Sequence, residues 1–272
     1  MAKWKDKNWR KRITVQMKRL DQFFTNNNVV DKCLSSLNLL SYDIIVEPSA
    51  GSGSFYFKIE HKHKIAYDLE PKFPETICYD FLETKPLVEQ GKILVVGNPP
   101  FGKNSSLAVK FFNHASSFAD TIAFILPRTF RKPSIKNRLG EYFHLVEETI
   151  LPKNSFHIPD GKMYDVPCVW QVWNKTTKIR EKIIVRMEHK DFKFVERKEA
   201  DFLIQRVGGG AGIVTKDMNK KEPAYYNIKA SDEVCKVFER IDWNKSSKYD
   251  TAGNPSLSKG DIIEMYERFL LS

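Results

Sequence analysis

The 272-residue sequence predicts an α/β fold built on a mostly parallel, doubly wound sheet. Its short apolar runs are continuous rather than alternating, which is typical of strands that are covered on both faces. Each of these runs ends at turn residues or at a carboxylate. The intervals between them carry apolar residues at helical spacing. Strand, turn and helix therefore repeat along the chain, and this repetition favours a doubly wound sheet.

The predicted strands of the parallel part are residues 43–47, 64–67, 92–97 and 121–126. Helices are predicted over residues 29–40 and 105–118, the second with Ser105 as an N-terminal cap. Residues 148–151 and 166–173 are expected to add late strands, one of them antiparallel. Ligands of such sheets bind at the carboxyl ends of the strands, so the turns after these strands should meet in one crevice.

Composition and charge narrow the class of protein. The formal net charge is +10 and the pI is near 9.3, which favours a polyanionic partner. No apolar run has the length of a membrane helix or the form of a signal peptide, so we expect a cytoplasmic protein, or a nuclear one in a eukaryote. The scattered cysteines predict reduced thiols, and no cluster with metal-ligand spacing predicts a metal site.

The first candidate site is the turn after the strand at 43–47. Its glycines allow the backbone to approach a ligand closely, but Tyr56 stands where a dinucleotide-binding G-x-G-x-x-G motif needs glycine. Asp68 ends the next predicted strand, where an acidic residue suits the hydroxyls of a ribose. Asp80 and Phe81 follow, as an acceptor for an adenine amino group and a ring for its face. The predicted cofactor residues here are Glu47, Pro48, Ala50, Gly51, Gly53, Asp68, Asp80 and Phe81.

The second candidate site is the tetrapeptide Asn98-Pro99-Pro100-Phe101, directly after an apolar strand. Two prolines make this turn rigid and leave its carbonyl groups free of local donors. An amino group on an aromatic ring is a poor nucleophile because its lone pair is delocalised into the ring. The Asn98 side-chain oxygen and the Pro99 carbonyl could hold both of its hydrogens and localise that pair. Phe101 would stack on a base rotated out of a helix.

Together these motifs resemble the amino-group DNA methyltransferases, specifically the N6-adenine enzymes with the motif order of the γ class. The resemblance covers roughly residues 20–175 and includes Asp21 to Thr25 upstream of the glycine turn. It implies a Rossmann-like class I methyltransferase fold with S-adenosylmethionine as cofactor. It also implies that Phe23, Phe24 and Thr25 contact the methionine end of the cofactor, and that Phe81 packs on its adenine. The segment 154–173, with Phe156, resembles the region that closes over the target base.

The basic residues are the candidate contacts to nucleic acid. Residues 1–20 form a basic arm that contains Trp4 and Trp9. A second basic segment, residues 128–138, has no acidic residue and follows a predicted strand end. A solvated face would explain either stretch, but phosphate contact by Arg128, Arg131 and Lys132 is the functional hypothesis.

The predicted organisation is a basic arm at 1–20, a catalytic domain at 21–177 and a small accessory or substrate-binding region at 178–272. In the last region we expect strands at 183–187 and 201–207 and a helix at 232–241. The family's bacterial DNA enzymes usually carry a larger recognition domain, so sequence readout would come from the short region after residue 177 or from a protein partner, or it would be slight. Methylation of DNA is the leading hypothesis, and RNA is the alternative polymer. Protein-glutamine methylation and a non-catalytic nucleic-acid-binding module rank below these.

Overall fold

The computed structural model describes residues 23–84, 91–157, 161–251 and 253–272. The basic arm therefore lies outside the described residues, as do Asp21 and Gln22. The chain divides into two compact units. The N-terminal unit takes the described residues up to Pro127 together with Arg138–Glu181, and the C-terminal unit takes Arg128–Asn137 and Lys182–Ser272. The segment Arg128–Asn137, placed in the catalytic domain by sequence analysis, thus groups with the C-terminal unit.

A seven-stranded sheet is the centre of the N-terminal unit. Its strands are β2 (Ile44–Glu47), β3 (Lys64–Asp68), β4 (Thr76–Cys78), β5 (Ile93–Gly97), β6 (Thr121–Pro127), β7 (Phe143–Ile150) and β10 (Cys168–Lys175). They lie in the order β4-β3-β2-β5-β6-β10-β7. All neighbouring pairs from β4 to β6 are parallel, and β10 runs antiparallel to both β6 and β7. This is the strand order of a Rossmann-like class I methyltransferase fold, with the late antiparallel strand that was predicted.

The order of the sheet reverses between β2 and β5. From β2 the chain moves outward to β3 and β4, and then it returns to place β5 on the other side of β2. In doubly wound sheets the crevice outside this switch point is where ligands bind. The glycine turn follows β2 and Asn98 follows β5, so the topology brings the two predicted sites to one edge.

Helices α1 (Asn27–Ser35) and α2 (Ser106–Ser116) pack on opposite faces of this sheet. Ala123 and Ile125 of β6 lie in the hydrophobic cluster that contains α1. The alternate residues of β6 face the other way, towards the side where Phe112 of α2 contacts Trp173. The continuous apolar runs are thus explained by burial of both faces. A three-stranded antiparallel sheet, β1 (Phe24–Thr25), β8 (Phe156–His157) and β9 (Met163–Tyr164), completes the unit.

The C-terminal unit has a four-stranded antiparallel sheet of β11 (Phe192–Phe194), β12 (Phe202–Gln205), β13 (Val214–Thr215) and β14 (Tyr225–Ala230). The strands lie in the order β11-β14-β12-β13. Its helices are α3 (Pro133–Lys136), α4 (Asp232–Arg240) and α5 (Lys259–Leu270). Aromatic residues from β11, β12, α4 and α5 form one core around Phe238.

Short 3-10 turns connect many of these elements. They span Leu39–Ser41, Tyr56–Lys58, Phe81–Glu83, Lys103–Ser105, Arg128–Arg131, Arg197–Glu199, Glu222–Ala224, Trp243–Lys245 and Ser247–Tyr249. Across the described ranges, no helix is long and apolar enough to cross a bilayer. The same ranges hold no group of three or more His, Cys, Asp or Glu side chains that could bind a metal.

Three predicted features differ from the structure. The predicted strand at 183–187 is irregular, because the Asn137 side chain takes both backbone groups of Ile183. Helix α1 ends at Ser35 rather than near residue 40; the hydroxyls of Ser35 and Ser36 donate to backbone carbonyls three residues back. Ser105 lies at the N-cap of α2 in a left-handed conformation with no side-chain cap bond, and the carbonyl of Phe101 accepts the first amides instead.

Candidate active site

A cleft opens at the carboxyl ends of β2, β3 and β5 in the N-terminal unit. Most of the residues predicted from the two motifs line it. The predicted residues in its wall are Phe23, Phe24, Thr25, Glu47, Pro48, Ala50, Gly51, Asp68, Asp80, Phe81, Asn98 and Pro100. Gly53, Pro99 and Phe101 are not among the described residues that line it.

The glycine turn after β2 is held by Asp68 at the end of β3. The Gly51 N–H donates to one Asp68 carboxylate oxygen at 2.7 Å, and the Glu70 N–H donates to the other at 2.7 Å. Gly51 has a φ of +52°, a conformation that favours glycine. A carboxylate has about four lone-pair sites, so Asp68 retains acceptors for a ligand while it shapes the turn. Gly53 has a structural role, because a Cβ there would lie 2.5 Å from the Phe57 ring.

Glu47, the last residue of β2, is a buried acid that forms no ion pair within the described residues. Its side chain is 3% exposed, and Oε2 has no hydrogen-bond partner in the part of the chain that is described. Burial raises the pKa of this carboxyl well above its ordinary value of 4.5, and the nearby Asp68 raises it further, while a backbone hydrogen bond from Tyr56 and the charge of Lys64 act in the opposite direction. A buried carboxyl group with a vacant oxygen could hold a cationic group of a ligand, which would supply the missing partner.

Asp80 and Phe81 follow β4 at the far side of the cleft. The Asp80 carboxylate accepts the Leu82 N–H at 2.9 Å and so fixes the turn that carries Phe81. The Phe81 ring stacks on Phe111 of α2, with ring centroids 5.4 Å apart. Its edge contact with His114 is 4.9 Å between centroids. These contacts build an aromatic wall that belongs to both the predicted turn and helix α2.

The Asn98 side chain has its two ends in different environments. Its Nδ2 donates to the Phe23 carbonyl at 3.3 Å and to the Thr25 hydroxyl oxygen at 3.2 Å. Its Oδ1 is buried and has no partner among the described residues. The Asn98 carbonyl accepts the Ser49 hydroxyl at 3.2 Å, which ties this turn to the glycine turn. The amide nitrogen is therefore anchored, and the amide oxygen is left as a vacant acceptor.

The segment predicted to close over a base has a different arrangement from the expected one. Phe156 is fully buried in the core and pairs with Thr25 across β1 and β8. Its ring therefore has no exposed face for a base, and the prediction of a direct nucleic-acid contact is corrected. Tyr164, opposite Phe156 on β9, is 39% exposed and stacks on Phe23 at 4.8 Å between centroids.

Two of the three basic residues predicted as phosphate contacts are paired with acids inside the C-terminal unit. Arg131 Nη1 contacts both oxygens of the buried Asp250 carboxylate, at 2.8 and 3.0 Å. Lys132 lies 3.8 Å from Asp261. Arg128 has its Nε buried without a partner among the described residues. The acids come from more than a hundred residues away, so the local sequence gives no sign of these pairs, and phosphate contact by these residues stays a prediction.

Sequence analysis missed part of the cleft wall. Leu107 and Phe111 lie four residues apart on α2, so helical periodicity would have placed them on one face. The others follow strand ends without a distinctive motif, and two of them, Tyr79 and Leu82, follow β4, which was not predicted. The missed residues are Ser49, Ser54, Phe55, Leu69, Glu70, Lys72, Tyr79, Leu82, Leu107 and Phe111.

The residues around the cleft fit S-adenosylmethionine. Its methionine ammonium is a cation that the vacant oxygen of Glu47 can accept. Its ribose carries two hydroxyl donors, and the Asp68 carboxylate is an acceptor beside the glycine turn. Its adenine is a planar ring with an amino donor, and Phe81 with Asp80 lies at the opposite end of the wall.

Comparison with known proteins gives distant similarities. No family model matches the chain. A region of 168 residues is 29% identical to Protein ENHANCED DOWNY MILDEW 2 of Arabidopsis thaliana. That alignment covers 56% of this chain and 13% of the Arabidopsis protein, so the chain spans about an eighth of its relative.

Solved structures with a similar fold include a "putative RNA methyltransferase" from Pyrococcus horikoshii, at 17% identity and a TM-score of 0.45, covering 57% of this chain and 88% of that one. A modification subunit of a "putative type I restriction enzyme" from Vibrio vulnificus has 13% identity and a TM-score of 0.43, with 61% and 48% covered. Magnesium protoporphyrin IX methyltransferase from Synechocystis, with bound S-adenosylmethionine, has 10% identity and a TM-score of 0.37, with 64% and 87% covered. The fold assignment itself follows from the strand order.

Proposed function

We propose that the protein transfers a methyl group from S-adenosylmethionine to N6 of adenine in a nucleic acid, with DNA favoured and RNA as the alternative polymer. The observation that carries the proposal is the vacant, buried Oδ1 of Asn98 at the edge of a cleft that fits the cofactor. We place this activity in the cytoplasm, or in the nucleus of a eukaryotic cell, and a protein partner could select the target sequence.

The chemistry requires acceptors at the target amino group. Asn98 Oδ1 would accept one hydrogen of that group, and the adjacent Pro99 carbonyl would accept the other. Holding both hydrogens favours a pyramidal nitrogen whose lone pair can attack, and fixing its position supplies much of the remaining rate. When bound, S-adenosylmethionine supplies an electrophilic methyl group on a sulfonium. Because the nitrogen loses its proton after the new bond forms, no general base is needed before attack.

Phe101 supports the base in this proposal. It is half-buried and packs against the hydrophobic cluster next to Asn98. Its main chain is fixed, because its carbonyl accepts the amides of Leu107 and Ala108 at the start of α2. A base that is rotated out of its helix would stack on the ring, and the rigid turn would keep the ring and the Asn98 amide in register.

The test is a substrate panel. Purified protein is incubated with labelled S-adenosylmethionine and with duplex DNA, single-stranded DNA, structured RNA or a protein mixture, and the methylated product is identified by mass spectrometry. We expect N6-methyladenine in a polynucleotide. A matched oligonucleotide with purine in place of adenine lacks the amino group and should accept no label. Label on protein glutamine alone, or no transfer at all, would refute the proposal.

A further inference from the structure

The orientation of the Asn98 amide depends on strand β1. An amide presents an acceptor on one side and two donor hydrogens on the other. Both donor contacts of Asn98 go to β1, one to the Phe23 carbonyl and one to Thr25 Oγ1. The Phe23 carbonyl can only accept, so a flipped amide would set two acceptors against each other. The contact with Thr25 occupies the second hydrogen, which would otherwise repel the hydrogens of a target amino group.

Thr25 is itself held firmly. Its side chain is 3% exposed. Thr25 pairs with the buried Phe156 across β1 and β8, and the next residue, Asn26, donates its backbone N–H to the Ser155 carbonyl at 3.0 Å. The Asn26 side chain also donates to the Asn154 carbonyl at 2.7 Å. The hydroxyl that meets Asn98 therefore lies on a strand whose position is set by contacts on its far side.

We propose that Thr25 is a positioning residue for the reaction: its hydroxyl oxygen accepts from Asn98 Nδ2 and so keeps Oδ1 directed to the amino group to be methylated. This inference rests on the proposed function, because it assigns Thr25 a role through Asn98. It also gives the buried Phe156 a place in the site, as the residue that pairs with Thr25 rather than as a contact to the base.

The kinetic test compares Thr25→Val, which removes the acceptor at nearly constant volume, with Thr25→Ser, which keeps it. We expect Thr25→Val to lower kcat at saturating cofactor roughly 3- to 10-fold, the equivalent of one neutral hydrogen bond. Thr25→Ser should restore most of that loss. Thr149→Val, at an exposed position on β7, is the matched control and should keep wild-type kcat. Cofactor affinity is measured separately, so that a binding defect is not read as a defect in positioning.

A second readout does not depend on activity. The Asn98 side-chain amide signal is identified in ¹⁵N spectra by its loss in Asn98→Ala, and its hydrogen exchange is measured in each variant. We expect faster exchange in Thr25→Val, because one of its two hydrogen bonds is gone, and near wild-type exchange in Thr25→Ser. If Thr25→Val does not fold, Thr25→Ala replaces it.

The outcomes separate the two proposals. The identity of the wild-type product tests the proposed function. The ratio of variant kcat to wild-type kcat tests the role of Thr25, whichever nitrogen is methylated. If the wild type transfers no methyl group, the exchange measurement still decides whether Thr25 holds the amide. Unchanged kcat and exchange in Thr25→Val, or equal losses in Thr25→Val and Thr25→Ser, would overturn the inference.

Discussion

The turn after β5 and the basic segment at 128–138 both present polar side chains, but their partners differ. Within the described ranges the buried oxygen of Asn98 has no hydrogen-bond partner, although its amide nitrogen donates two hydrogen bonds. Arg131 is matched by the buried carboxylate of Asp250, and Lys132 by Asp261. A buried polar atom without a partner costs free energy. Because Asn98 also lies in the cleft wall, the vacancy of its oxygen favours a ligand there, whereas the ion pairs of Arg131 and Lys132 favour a structural role.

This contrast shows why one set of predictions placed residues at the cleft and the other did not. The motif residues sit where the backbone of a parallel sheet ends, and the ends of neighbouring strands meet whatever the rest of the chain does. The charged residues are long and flexible, and their partners are chosen by the tertiary structure. Local charge therefore predicts function less well than position at a strand end.

The largest expected effect is on Asn98→Ala. Loss of the vacant acceptor should lower kcat roughly 100- to 1000-fold, as for removal of one preorganised polar group at a reacting centre. Cofactor affinity, measured by calorimetry, should change little. Asn28→Ala, at an exposed position on α1, is the matched control. Wild-type turnover in Asn98→Ala would break the contrast with Arg131, because the vacancy would then have no role in the chemistry.

The next largest expected effect is on stability, from loss of the Arg131–Asp250 ion pair. Arg131→Met should destabilise the protein by about 2–3 kcal/mol, somewhat less than the ~3–5 kcal/mol for a fully buried pair, since the Arg131 side chain is 33% exposed. The change leaves the buried Asp250 carboxylate unmatched, and burial already raises the pKa of that carboxyl. The double variant Arg131→Met/Asp250→Leu should recover most of the loss in urea unfolding.

The same double variant tests the phosphate hypothesis. If Arg131 has a structural role, the salt dependence of nucleic-acid binding should keep its slope in the double variant. A slope reduced by about one would instead mean that Arg131 contacts a phosphate, and the structural interpretation of this segment would be wrong.

A smaller effect is expected for Glu47→Gln. Because the native pKa of Glu47 lies above the unfolded value of 4.5, the native state retains a proton that the unfolded chain releases. The stability that the protonated Glu47 carboxyl contributes is fully present below pH 4.5 and is lost as the pH rises through the native pKa of Glu47. Above that range Glu47→Gln should be more stable than the wild type by about 1–2 kcal/mol, with weaker cofactor affinity. Thermal unfolding across pH without cofactor measures it, and an unchanged pH profile would contradict it.

The smallest effect is a difference in thiol reactivity. Cys78 is exposed at the end of β4, while Cys33, Cys168 and Cys235 are buried. Burial, together with a smaller contribution from Glu147, raises the pKa of the Cys33 thiol to about 12. A maleimide should label Cys78 rapidly in the native protein, and Cys78→Ser should remove that fast phase. Equal labelling of all four thiols would mean that the core opens more readily than its packing implies.

Much of the fold was predictable from local pattern. Four of the five parallel strands, the helix that became α2 and the late antiparallel strand follow from runs of consecutive residues whose burial is a local property, whereas β4 was not predicted. The irregular backbone at 183–187, where a strand was predicted, was not predictable, because both backbone groups of Ile183 bond to Asn137 from a distant segment. The missed cleft residues were not predictable either, because most of them carry no motif of their own and only the packing of distant segments brings them to the cleft.

The sequence by itself determined the strand ends, the glycine turn with Asp68, and the rigid Asn98-Pro99-Pro100 turn, because neighbouring residues set their backbone conformation. Tertiary structure alone decided how the polar groups are paired. Thr25 meets Asn98 across 73 positions and Arg131 meets Asp250 across 119, and Phe156 is buried by residues from several elements. Contacts at such separations depend on how the elements pack, which no local pattern encodes.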